Sequence, residues 1–511
     1  MRSLRWIRLA AGAAVLIAFC CVFVLDEHLI GGLHRILPRT QFLPALMGLI
    51  SWAVIASVIV LALICIATLI LGRVYCAFLC PLGILQDALL RLETWLRIRR
   101  RYSYQRPRPF LRYTVLILAG LGISSGILAV VTWFDPYSLF GRMTYALLSA
   151  PIRYMVQVVN PILDARGILL LSDLSKGDVP IFILVAGVLI LGLLVVFTVV
   201  SGRFYCTSIC PVGTFLGLLS RHSLLKIHMD PDTCINCARC ERVCRSGCID
   251  SKNGIIDHSC CVMCLDCLAV CPKGSISYGT RPSGQESVPI EQRRTLLGSG
   301  LALAGIGIVP GLAIRYARAS TQGRSPVMPP GAVSMDHLKS HCTACQLCVS
   351  KCPTNVLQPT LFGYGLDGIL IPHLDFTRGY CTFDCALCGH VCPNKAILPL
   401  TKEQKHTVQL GMVELDEGLC VTYTKHEDCG ACIEHCPTHA IYGELTGGVN
   451  LPKVRPEGCV GCGACVHTCP VGAVRVIGHA VHRQAKILGQ SKTPQVEGSQ
   501  TQSQQADGFL F

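Results

Sequence analysis

The chain has 511 residues, room for two to four domains, with 51% hydrophobic and only 15% charged residues; this excludes a disordered polar chain and favours membrane segments. Its 33 cysteines fall mostly in tight Cys-x2-Cys-x2-Cys-x3-Cys runs, which suit metal clusters and argue against a disulfide framework. The formal charge of +14 counts cysteine as neutral; six [4Fe-4S] clusters in the 2+ core state, each −2 on four thiolates, would bring it to about +2, so the basic excess balances cofactors and nucleic-acid binding is not expected.

Four hydrophobic segments come first: Leu9–Leu25, Ala45–Leu71, Tyr113–Phe134 and Val179–Ser201. Each is near or above the ~20 residues a spanning helix needs. Arg2, Arg5 and Arg8 precede the first, and eight arginines from Arg91 to Arg112 separate the second from the third, whereas the other two loops carry mixed charge. The positive-inside rule therefore puts the N-terminus and the Arg-rich loop in the cytoplasm. Asp26, Glu27, His28, His34 and Asp135 fall at the opposite ends of these segments, either as proton acceptors or, the plainer reading, as solvated loop residues.

The second and fourth segments end in near-copies, GRVYCAFLCPLG (72–83) and GRFYCTSICPVG (202–213), offset by 130 residues. The unit of two helices followed by CxxxCP thus occurs twice, as an internal duplication does. Thiols at i and i+4 share a helix face, so Cys76, Cys80, Cys206 and Cys210 converge if the halves pack about a pseudo-two-fold axis. Three readings stay open: a redox-active thiol–disulfide site beside a quinol, a further metal or cluster site, or a purely structural helix end.

Beyond segment four lie two cysteine groups with the bacterial two-cluster spacing, in which the fourth cysteine of each group crosses to the other cluster. One cluster takes Cys234, Cys237, Cys240 and Cys271; the second takes Cys261, Cys264, Cys267 and Cys244. Arg245 stands where proline ordinarily follows, and Cys248 and Cys260 are extra thiols that can substitute for Cys244 or Cys261.

A fifth hydrophobic stretch, Gln292–Ile314, opens with Arg293 and Arg294 and is followed by Ala-Arg-Ala at 317–319. It reads as a twin-arginine-like export signal or as an ordinary fifth spanning helix. Four further groups follow, all ending in Cys-Pro, and the same crossing rule gives four clusters. The ligand sets are Cys342, Cys345, Cys348 and Cys392; Cys381, Cys385, Cys388 and Cys352; Cys420, Cys429, Cys432 and Cys469; and Cys459, Cys462, Cys465 and Cys436.

With this order of motifs, residues 1 to about 285 resemble NapH, a four-helix membrane ferredoxin of the periplasmic nitrate reductase system. Residues from about 290 onward resemble the exported polyferredoxins NapG and MauM. The expected fold is a membrane α-helical one, a four-helix duplicated unit plus a fifth hydrophobic segment, with α+β bacterial-ferredoxin-like [4Fe-4S] domains. The expected divisions are a membrane domain (1–220), a cytoplasmic two-cluster domain (221–285), a signal or fifth segment (286–320), a periplasmic four-cluster domain (321–488) and a disordered tail (489–511). The resemblance implies about six [4Fe-4S] clusters in a quinol dehydrogenase or electron-transfer subunit of the bacterial inner membrane. Its partners would be the lipid bilayer, the membrane quinol pool and a periplasmic reductase or cytochrome. The alternative is a maturation or regulatory ferredoxin for a respiratory metalloenzyme.

Overall fold

The computed structural model describes residues 2–25, 30–50, 54–96, 102–106, 108–149, 151–152, 155–156, 158–159, 179–280 and 326–485. The signal-like stretch, the tail from 486, and Asp26, Glu27 and His28 lie outside the described residues.

Helix α1 (Arg2–Val24) has 23 residues, a length of ~35 Å. The second hydrophobic segment is not one span. It forms α2 (Phe42–Ile50) and α3 (Val54–Leu71), folded back so closely that a Cβ on Gly48 would lie 2.0 Å from Ser57 Oγ. Residues nine apart on a straight helix would be separated by ~13 Å. The third segment breaks likewise, into α5 (Pro109–Ser124) and α6 (Leu128–Thr132), after α4 (Pro81–Trp95) of the first CxxxCP unit. The chain reverses at Gly126 (φ +71°), where the Ile127 N–H donates to Gly122 O at 2.8 Å.

Helix α7 (Pro136–Thr144) starts under an Asp135 cap that accepts from Ser138 N (2.7 Å) and Oγ (2.8 Å). Asp135 and His34 are both about 1% exposed, so neither is a solvated loop residue. The fourth segment is a continuous helix, α8 (Ile181–Ser201), followed by α9 (Pro211–Ser220). Among the described residues, two helices are long and apolar enough to cross a membrane, Arg5–Val24 of α1 and all of α8; parts or all of α3, α5 and α9 are shorter apolar helices. Four continuous spans were expected; two are continuous and two are broken. Hydropathy reports polarity, and it does not register a backbone reversal such as the one at Gly126, which has apolar residues on both sides.

The duplication is visible in the backbone. Each half has a long apolar helix (α3, α8) and a glycine at positive φ (Gly72 +82°, Gly202 +66°). A single turn carries the first cysteine. The second cysteine is extended (Cys80 φ −75°, ψ 114°; Cys210 φ −69°, ψ 119°) and caps a helix that opens on proline. Proline is suited there, because its missing N–H would have no partner in the first helical turn.

Two α+β blocks flank this helical unit. In the first, β1 (Leu225–Met229) pairs antiparallel with β4 (Ile276–Thr280), beside the hairpin of β2 (Ile249–Asp250) and β3 (Ile255–Ile256). The second is built on three antiparallel pairs: β5 (Leu357–Pro359) with β6 (Pro372–Leu374), β7 (Val408–Leu415) with β10 (Val474–Gln484), and β8 (Ile441–Thr446) with β9 (Val449–Val454). They seat at opposite ends of α1. Arg8 Nη1 donates to Cys264 O of the first block at 2.9 Å, whereas Lys351 of the second donates to Leu25 O. Seventeen residues separate Arg8 from Leu25, ~26 Å of helical rise.

Candidate iron–sulfur centres

Each unstretched cysteine loop has the same backbone device. The residues immediately before and after its middle cysteine are left-handed: Asn236 and Ala238, Met263 and Leu265, Ala344 and Gln346, Gly461 and Gly463. Two left-handed residues wind the loop tightly enough to aim three thiols at one point. Most of them carry a Cβ, so the conformation costs about 1–2 kcal/mol per residue. The groups starting at Cys381 and Cys420, with longer first gaps, lack this pair.

All six expected quartets come together. Four line hollows: Cys234, Cys237, Cys240 and Cys271; Cys244, Cys261, Cys264 and Cys267; Cys352, Cys381, Cys385 and Cys388; and Cys436, Cys459, Cys462 and Cys465. In the other two, Cys348 faces Cys342, Cys345 and Cys392, and Cys432 faces Cys420, Cys429 and Cys469. Among the described residues, no group of three or more His, Cys, Asp or Glu side chains is arranged to hold a single metal ion. Four thiols spread round an apolar hollow fit a multi-iron cluster instead.

Burial pushes the Cys345 and Cys381 thiols up to about 11. Cys244 moves the other way, to about 7, because the Cys248 thiol hydrogen-bonds it.

The quartets form a series. Cys240 neighbours Cys267 across the first block. In the second block Cys348 neighbours Cys388, the Cys381 N–H donates to Cys462 O at 2.9 Å, and Cys465 neighbours Cys432. The innermost quartets abut the helical unit. Cys264 and Cys345 both border its apolar core, and the Tyr137 hydroxyl faces Cys345.

The three sequence departures in the first block now have places. Arg245 is an anchor: Nη1 lies 3.6 Å from Asp87 and 3.4 Å from Asp266, and its carbonyl accepts from the Arg203 N–H at 2.9 Å. Cys248 lines the second hollow, with Sγ 3.4 Å from Cys244 Sγ, so five thiols meet there. Cys260 does not line that hollow; it lies 3.4 Å from Arg112 Nη1.

Cys76, Cys80, Cys206 and Cys210 also converge. All are free thiols, each 4% exposed and in one buried cluster, and Cys80 has the other three as electrostatic neighbours. The Gly213 N–H donates to Cys210 Sγ at 3.2 Å, and Arg73 Nη2 lies 3.7 Å from Cys76 Sγ. Arg73 belongs to the repeated motif itself; spacing did not reveal Gln86, whose Oε1 accepts from Cys206 Sγ at 2.8 Å.

Comparison with known proteins agrees with this chemistry. Residues 45–103 and 183–229 match the family described as a 4Fe-4S binding domain, and 425–473 match a 4Fe-4S dicluster domain. The chain is 30% identical over 149 residues to the ferredoxin-type protein NapF of Escherichia coli K12, covering 29% of this chain and 82% of that protein. It is 31% identical over 198 residues to the methylamine utilization ferredoxin-type protein MauN of Paracoccus denitrificans (38% and 56% covered). With MauN of Methylorubrum extorquens it shares 30% over 215 residues (41% and 61% covered).

Proposed function

We propose, from the premise that this chain belongs to the ferredoxin-type iron–sulfur electron-transfer proteins, that it oxidises quinol in a membrane and passes the electrons to a reductase on the far side. One observation carries this reading: a series of cysteine quartets terminates against both ends of one helical unit. A [4Fe-4S] cluster bound at such a quartet takes up or releases one electron. The protein's part is to hold the thiols, exclude water from them and set their separations.

The outer surface of the helices supports the membrane assignment. Ile55, Leu63, Ile181 and Leu189 are 79%, 62%, 79% and 65% exposed, an apolar collar that in water would demand a cover. In the proposed topology the Arg-rich end and first block face the cytoplasm and the second block faces the periplasm, as in a join of NapH-type and NapG/MauM-type ferredoxins. Arg293 and Arg294 supply the export route for the second block.

The test is anaerobic mixing of the detergent-solubilised full chain with a reduced short-chain quinol, followed by EPR. Reduced-cluster signals growing with quinol are expected; clusters that are present but stay silent at every quinol potential would overturn quinol as donor.

A further inference from the structure

We propose that Cys76, Cys80, Cys206 and Cys210 together hold a seventh [4Fe-4S] cluster, inside the helical unit. Each match to the 4Fe-4S binding domain family contains one CxxxCP pair. Two thiols cannot complete a four-iron cluster, which needs four. The duplication supplies the missing pair by bringing both halves to one point.

The surroundings are built for an anion. Four thiolates around a 2+ core carry −2. Cys80 and Cys210 cap α4 and α9, helices of 15 and 10 residues whose positive ends face these sulfurs. The Gly213 N–H already donates to Cys210 Sγ. Arg73 is fully buried; Nη1 donates to Ser259 O at 2.9 Å, and among the described residues the guanidinium meets no carboxylate. Nη2 points between Cys76 Sγ (3.7 Å) and Cys206 O (2.9 Å), and Nε has no partner. An unneutralised buried guanidinium is costly unless an anion stands beside it.

Gln86 is also fully buried, and its amide Nε2 has no partner while Oε1 accepts from the Cys206 thiol. Were Cys206 a thiolate ligand, Oε1 would have no proton to accept, and the amide turned over by half a rotation would present its otherwise unpaired N–H to the sulfur.

Position gives the site its use. Gly12 of α1 packs against this turn: a Cβ there would lie 3.5 Å from Ile84 and 3.8 Å from Ala77 O. Gly12 is four residues from Arg8 and thirteen from Leu25, ~6 and ~20 Å of rise. The four thiols therefore divide the long interval between the innermost quartets. Tyr137, Phe19 and Phe23 fill the longer part. Electron transfer falls steeply with distance, and an intermediate centre shortens its longest leap.

The decisive count uses the full chain, purified anaerobically in detergent. Native mass spectrometry and iron analysis are expected to find seven clusters in the unaltered protein and six in Cys76→Ser with Cys206→Ser, with one-seventh of the Mössbauer area lost. Six clusters in the unaltered chain, with disulfides mapped at these four positions, would overturn the proposal without any variant having to fold. Seven clusters in both proteins would overturn it too. Neither count depends on quinol being the donor, so silence towards quinol leaves this result standing.

Discussion

At Gly213 a side chain has nowhere to go: a Cβ would lie 2.4 Å from Cys206 O and 2.8 Å from Arg73 Nη2. Its counterpart Gly83 meets Cys76 O at 2.4 Å. Gly213→Ala is expected to destabilise the helical unit by about 1–3 kcal/mol, the usual cost of overpacking, read as a lowered denaturation midpoint in detergent. Gly192→Ala on α8, where nothing lies within 4 Å, serves as the control and should be neutral or slightly stabilising. At this scale the cluster residues were legible because four of the six loops carry their ligands three apart, the other two stretch only the first gap, and the crossing fourth cysteine lies just beyond one short helix. What separated Cys248 from Cys260 was not legible: only the β2–β3 hairpin turns Cys248 towards Cys244 and leaves Cys260 beside Arg112.

Among elements, the junction of α1, α4 and the first block turns on one carboxylate. Asp87 is 4% exposed and pairs with Arg8, Arg203 and Arg245. Asp87→Asn leaves three guanidiniums around a neutral amide, and breaking a buried pair of this kind costs about 3–5 kcal/mol. Hydrogen exchange is expected to quicken in α1 up to Gly12 and in residues 242–247 while β7 and β10 keep their protection; unchanged exchange at Arg242–Gly247 would show that Asp87 does not hold the first block. The apolar runs foretold helices but not their folding back, since the reversal at Gly126 is a φ choice inside a run that stays greasy on both sides. Arg245 was legible only as a departure from proline. Its function needed Asp87 and Asp266, more than 20 residues from it on one side or the other in sequence, to arrive at the same place.

Over the whole molecule, the two blocks sit at opposite ends of α1, and the proposed topology makes those ends opposite faces of a bilayer. An epitope placed in the exposed turn at Asn253–Gly254 and another at Gly447–Gly448 are expected to bind antibody from opposite sides of sealed vesicles. Both accessible from one side would abolish the transmembrane arrangement. The convergence of the two CxxxCP pairs belongs to this scale as well. Their 130-residue offset is printed in the sequence, but only the packed halves bring the four thiols together.

The fifth sulfur at the second hollow has an effect on how that site answers to genetics. Cys244 and Cys248 stand side by side facing Cys261, Cys264 and Cys267. Removing either one leaves a full complement of donors within reach. Serine scanning one position at a time would therefore pass over both as dispensable, and only their joint loss would expose what each had been covering for the other.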